Sequence, residues 1–341
     1  MSNTTHIIYA LLLLNLSLFC SCKQNNGGVI EEYIGNRNQT VTAKTMSIED
    51  SLPDLNALSY IYIIGDTLII NDWKSIEKQY YAYNLTNNTG LGWFGKSGGG
   101  PGELVKYMGG TFDKVNKIIY GVDFGPMEIK KIDIQKALSD STYGAETVRR
   151  IDPGKEGYFT SGYYLNDSVI YTSWVLPDSI RHTMHTLIVR YNPMTGNVDA
   201  IERPDENNMK NSFMIYNTDS ACFVTFCRFY DLMRLYDSKG NLRKNIYGPD
   251  YKNESDGRTA YFFGAEIDRN NNIYAIYCGK DYGQYKPQDI IVMNSDGEYL
   301  KTIHFDYYLW NIAYHMPTHR LYFSMDGEPQ FGYINLSDYD L

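Results

Sequence analysis

The sequence predicts an all-β chain folded as a six-bladed β-propeller, with four-stranded antiparallel blades and a ring closed by an N-terminal strand. Strand-like segments recur at Leu68, Ile118, Val169, Cys222, Ile273 and Leu321, in steps of 50, 51, 53, 51 and 48 residues. A period of that length, with four short strands per unit, is what a propeller blade needs. The composition agrees. The 32 Tyr, with Ile and Thr, favour pleated surfaces, while the 29 Gly, with Asn and Asp, supply turns. No Pro/Ser-rich linker or charge block divides the repeat, so one closed domain is expected over residues 38–341.

The first residues have a different character. Ile7 to Phe19 is an apolar run interrupted only by Asn15 and Ser17. It is too short to span a bilayer comfortably and fits the apolar region of a signal peptide, assigned here to residues 1–21. It leads into Leu18-Phe19-Cys20-Ser21-Cys22. This segment resembles the relaxed bacterial lipobox of Bacteroidetes lipoproteins, in which the Cys after the cleavage site is lipidated. The resemblance selects Cys22, with Cys20 as the rival. It departs from the pattern in having no Lys or Arg before the apolar run. A plain secretory signal is the alternative. Residues 22–37 then read as the lipidated Cys and a flexible polar tether.

The blades are expected near 56–103, 104–153, 154–204, 205–248, 249–304 and 305–341. The last lacks a fourth strand, and Thr40 to Ile48, which alternates like a strand, is expected to supply it and seal the ring. Tyr120, Tyr171 and Tyr274 are expected to fill the wedges between blades. Cys222, Cys227 and Cys278 are too few for a disulfide framework, and Cys222 and Cys278 read as core filler.

The net charge of −9 opposes nucleic acid, and no basic patch offers it a site. No metal site and no cofactor are expected. His182 and His185 lie three apart but lack a supporting Cys pair or a metalloprotease motif. His315 and His319 read as a solvated turn.

Trp93 to Leu104 is the most specific segment. Gly90 to Ser97 matches the bare pattern of a phosphate-binding loop, but Gly98-Gly99-Gly100-Pro101-Gly102 follows, and such a run cannot continue as a helix. A turn is expected instead, with Gly98, Gly100, Pro101 and Gly102 carrying the chain from blade one to blade two. This segment, ending in Glu103, resembles that of the TolB-like six-bladed β-propeller lipoproteins of Bacteroidetes, as do the lipobox and the propeller period. The resemblance runs from Cys22 to the C-terminus and implies a fold and an envelope address more than a reaction.

Propeller topology gathers two sets of loops on one face, those between blades and those between second and third strands. Their aromatic, Arg and acidic residues suit sugar or peptide ligands. The expected ligand contacts are Trp73, Glu103, Asp123, Trp174, Arg228, Tyr230 and Tyr282. Paired carboxylates for glycosidic chemistry could come from Asp72, Asp123, Glu103 and Asp231. The expected function is a monomeric, non-catalytic binding or assembly module of the cell envelope, with the outer membrane favoured over the inner. Its partners would be the membrane, through the lipid, and an envelope protein or a glycan or peptide ligand. The alternative is a carbohydrate- or peptide-active lyase or hydrolase with its site at the channel mouth.

Overall fold

The structure, a computed structural model, describes residues 24–26, 28–48, 52–152, 157–178, 183–202, 212–217, 222–252, 257–281, 283 and 286–341. They form six sheets strung in chain order, each built on an antiparallel run of consecutive strands. Blade one is Tyr60–Ile64, Thr67–Asn71, Lys78–Asn84 and Thr89–Lys96. Blade two is Tyr107–Asp113, Ile118–Asp123, Glu128–Asp133 and Glu146–Arg150. Blade three is Tyr158–Asn166, Val169–Asp178, Thr183–Tyr191 and Val198–Glu202. Blade four is Ser212–Asn217, Cys222–Cys227, Leu232–Tyr236 and Leu242–Tyr247. Blade five is Thr259–Ile267, Ile273–Asp281, Asp289–Met293 and Tyr299–His304. Blade six has Tyr308–His315, Arg320–Asp326 and Phe331–Asn335. First strands of successive blades pack on one another around the axis, and blade six returns to blade one.

The missing strand of blade six is Met46–Ser47, which pairs antiparallel with Phe331–Asn335. The remainder of the N-terminal segment does more than the expected closure. Thr40–Thr42 lies parallel to the outer strand of blade five, and Val29–Tyr33 lies parallel to that of blade four. Gln24–Asn26 folds back on Val29–Tyr33 as a hairpin. Within the stretch expected as a flexible tether, Gln24–Asn26 and Val29–Tyr33 therefore form an arm on the rim. An unpaired outer strand offers a row of backbone donors and acceptors, and Val29, Ile30 and Tyr33 suit strand pairing. Tyr33 stacks on Tyr247 with ring centroids 4.7 Å apart.

Buried side chains fill the wedges between blades. Tyr274 is fully buried between blades five and six with Phe305 and Phe323. Tyr120 of blade two stacks on Tyr164 of blade three at 5.3 Å, and Tyr171 meets Phe223 of blade four at 4.5 Å. Fully burying one aromatic or large aliphatic side chain stabilises by roughly 1.5–3 kcal/mol. Cys222, Cys227 and Cys278 lie in strands as thiols outside any disulfide, the last two buried. A short helix, Ile134–Ser139, is capped by Asp133 and packs Ile134 against blade one. Among the described residues no helix is long and apolar enough to cross a membrane.

Candidate functional site

The loop face is built by carboxylates at the ends of second strands. Asp72 accepts hydrogen bonds from the Asn56 backbone amide at 3.1 Å and from Asn56 Nδ2 at 2.9 Å. Asp123, fully buried, accepts from the amides of Val105 and Lys106 at 3.2 and 2.9 Å and from Lys130 Nζ at 2.8 Å. Burial by itself would raise the Asp123 pKa; Lys130 and the two amides outweigh it and hold the group below the usual carboxylate range. Asp231, also fully buried, takes a two-pronged bond from Arg37 at 2.7 and 3.1 Å and one from the Asp250 amide at 3.2 Å. Three of the carboxylates considered for acid–base work therefore fasten loops.

Arg37 carries no signal in the sequence that marks it, because its partner lies 194 residues away. It comes from the rim arm and lies over the Tyr277 ring, 4.7 Å from the centroid, while the Tyr277 hydroxyl lies within bonding distance of both Asp231 and Asp250. Burial opposes its charge, but Asp231 and Tyr277 together outweigh burial and raise the guanidinium pKa.

The Gly-rich segment folds as a turn. Gly98 N–H donates to the Leu104 carbonyl and Leu104 N–H to that of Lys96. Glu103 accepts from the Gly100 amide at 2.8 Å and pairs with Lys96, contacts that lower its pKa. Glycine is required at Gly102, where φ is +75° and a Cβ would lie 2.7 Å from Gly144 Cα.

The other expected contacts are scattered. Trp73 is half-exposed on the loop face, its Nε1 donating to the Leu58 carbonyl at 3.3 Å. Exposed Ile76 stands on the same blade-one loop, and exposed Val105 on the loop that leads into blade two. Trp174 was expected in a loop, but its strand runs on to Asp178. Its ring is buried against Tyr191 and is not presented to solvent. Tyr230 is likewise buried, in a cluster with Cys227 and Leu232. Arg228 sits over the Phe263 ring at 5.1 Å. Tyr282, Cys20, Cys22 and His182 lie outside the described residues, and His185 is on a strand. His315 and His319 are buried rather than solvated: His315 bonds Thr318 and reaches Asp66 of blade one, while His319 bonds Tyr314 and the Leu341 carbonyl. Among the described residues no three His, Cys, Asp or Glu side chains gather to hold a metal ion.

The opposite face has its own feature. A depression of about 350 Å³ lies between the first hairpins of blades two and three, lined in part by Phe112, Lys114, Tyr163 and Tyr164. Aromatic rings bridge first strands near the axis: Tyr62 to Phe112 at 4.4 Å, and Tyr163 to Tyr216 at 4.7 Å. Glu266, on the first strand of blade five, is partly buried. Burial pushes its carboxyl up from 4.5 to about 7, against the lowering pull of Lys114 and the Ile267 amide. Glu266 and Lys114 stand on opposite blades of the ring, a juxtaposition that spacing along the chain does not reveal.

These features define a six-bladed β-propeller with ordered loops on one face and an ionisable axial mouth on the other. The fold is shared with solved structures. A member of the DUF4221 family from Bacteroides vulgatus has a TM-score of 0.64 at 15% identity, over 88% of this chain and 98% of that one. Regucalcin from Agrobacterium tumefaciens, a calcium-binding protein, gives 0.55 at 9%, over 86% and 94%. A gluconolactonase from Xanthomonas campestris gives 0.52 at 12%, over 86% and 89%. At these identities the likeness is one of fold. No protein-family model and no curated protein matches the chain.

Proposed function

We propose that this chain is a binding or assembly module of the bacterial cell envelope, akin to the TolB-like propeller lipoproteins it resembles, exported and anchored by lipid on Cys22. One observation carries the binding reading. The loop face holds its carboxylates Asp72, Asp123 and Asp231 in backbone contacts, while Trp73, Ile76 and Val105 of blades one and two stay exposed. Rigid loops that present apolar side chains suit recognition better than proton transfer. A thermal-shift screen of glycans, peptides and envelope proteins tests it, since a partner that prefers the native state raises its melting temperature. A shift lost in Trp73→Ala with Ile76→Ser supports the reading, and a shift that the double variant keeps sinks it. For the anchor, Cys22→Ser should move the protein from the membrane fraction to the soluble one, and retention at the membrane would refute lipidation there.

A hydrolase or lyase is the second reading, favoured by the Glu266 carboxyl near 7, the range a general acid–base group needs. It requires that Glu266→Gln abolish turnover of a lactone or glycoside panel while the fold is kept.

A further inference from the structure

Glu266 and Lys114 oppose each other without pairing. Glu266 lies near the end of its strand, just before the turn around Asp268, and Lys114 lies in the turn after Tyr107–Asp113. Both turns join first to second strands, so both sit at the same mouth of the axis. Blades two and five stand across from one another in a ring of six. No salt bridge joins the two charges, yet Lys114 is near enough to act on the Glu266 carboxyl. Among the described residues neither has another ion-pair partner.

The walls beside Lys114 are aromatic and fixed. Phe112 packs on Tyr62, and Tyr164 packs on Tyr120. The other charged groups of the depression are committed to their own hairpins. Asp113 accepts from the amides of Val115 and Asn116 and from Asn116 Nδ2, and Asp167 accepts from the Tyr164 hydroxyl at 2.6 Å. Lys114 is thus the free charge at the rim, and Glu266 is the enclosed one across the axis. The depression beside Lys114 has a volume of about 350 Å³, at the small end of ligand sites, and Glu266 stands across the axis outside its lining.

We infer that this mouth binds a small zwitterion, an amino acid or short peptide, with its ammonium at Glu266, its carboxylate at Lys114 and its side chain among Phe112, Tyr163 and Tyr164. A cation and an anion held at one mouth without a salt bridge between them are complementary to a ligand that carries both charges, and aromatic faces take its apolar portion. The site lies on the face opposite Trp73 and does not depend on the loop-face reading.

Calorimetric titration of the purified full-length protein with the dipeptide Gly-Phe tests the inference. N-acetyl-Gly-Phe lacks the ammonium, and Gly-Phe amide lacks the carboxylate. Blocking either end should weaken binding at least about tenfold, the loss of one charged contact. In Glu266→Gln the penalty for acetylation should vanish while that for amidation persists; in Lys114→Met the pattern should reverse. Absence of binding at millimolar Gly-Phe overturns the proposal, as does equal binding of the blocked forms. So does a variant that keeps both penalties. Should either variant fail to fold, the three ligands on the unaltered protein still decide the matter.

Discussion

Single residues show how burial sets the cost of a charge. Arg37 and Asp231 are both withdrawn from solvent and bonded to each other. Removing one member of such a pair leaves the other buried without compensation, at about 3–5 kcal/mol. Arg37→Met should therefore lose stability of that order in urea titration, and Arg37→Met with Asp231→Asn should recover part of it. A loss below about 1 kcal/mol for the single change would show that water reaches Asp231. Glu266 gives the opposite kind of test. Its folded-state pKa is raised from 4.5 to about 7, so the contribution of its protonated form is fully present below the ordinary value and lost as pH rises through 7. Ionising it in the fold costs up to roughly 3 kcal/mol. Glu266→Gln should thus melt higher than the unaltered chain at pH 8, with the gap closing by pH 4. A gap independent of pH would mean that Glu266 ionises as it does in water.

At the scale of elements, the turn between blades one and two and the rim arm are the informative cases. Gly102 and Gly99 stand in the same turn, yet a Cβ at Gly99 meets nothing within 4 Å, whereas one at Gly102 meets backbone at 2.7 Å. Gly102→Ala should destabilise by about 1–3 kcal/mol and Gly99→Ala by much less, as measured by thermal melts. The turn itself was legible, because a Gly-Pro-Gly run cannot propagate a helix. The arm was legible only at Met46–Ser47, where blade six visibly lacked a strand. Val29–Tyr33 and Thr40–Thr42 add fifth strands to blades already complete, and nothing in their residues names the edge on which they land.

For the whole molecule, the arm and the seam close the ring in different ways. The arm ties blades four, five and six along the rim. The seam of blades six and one is held nearer the axis, where the Ile61 amide donates to Asn311 Oδ1 at 2.8 Å and His315 reaches Asp66. Deleting residues 38–48 strips the fourth strand from blade six and uncovers the edge of blade five. The truncated chain should melt several degrees lower and self-associate, because bare edges pair with other chains. Light scattering that finds it monomeric at the unaltered melting temperature would sink the idea of the arm as a closure.

The sequence alone determined the repeat, and with it the number of blades, their approximate limits and the need for a borrowed strand. Those properties follow from period, alternation and turn residues, which are local along the chain. It placed the GPGE turn for the same reason. The tertiary structure alone decided which polar residues were available to act. Trp174 and Tyr230 carry the right chemistry for a ligand but point into the core, while Asp72, Asp123 and Asp231 are taken up by loop amides. Arg37, Glu266 and Lys114 acquire their roles from residues on distant blades. Burial and charge proximity depend on what closure of the ring brings together, and that is a property of three dimensions rather than of spacing along the chain.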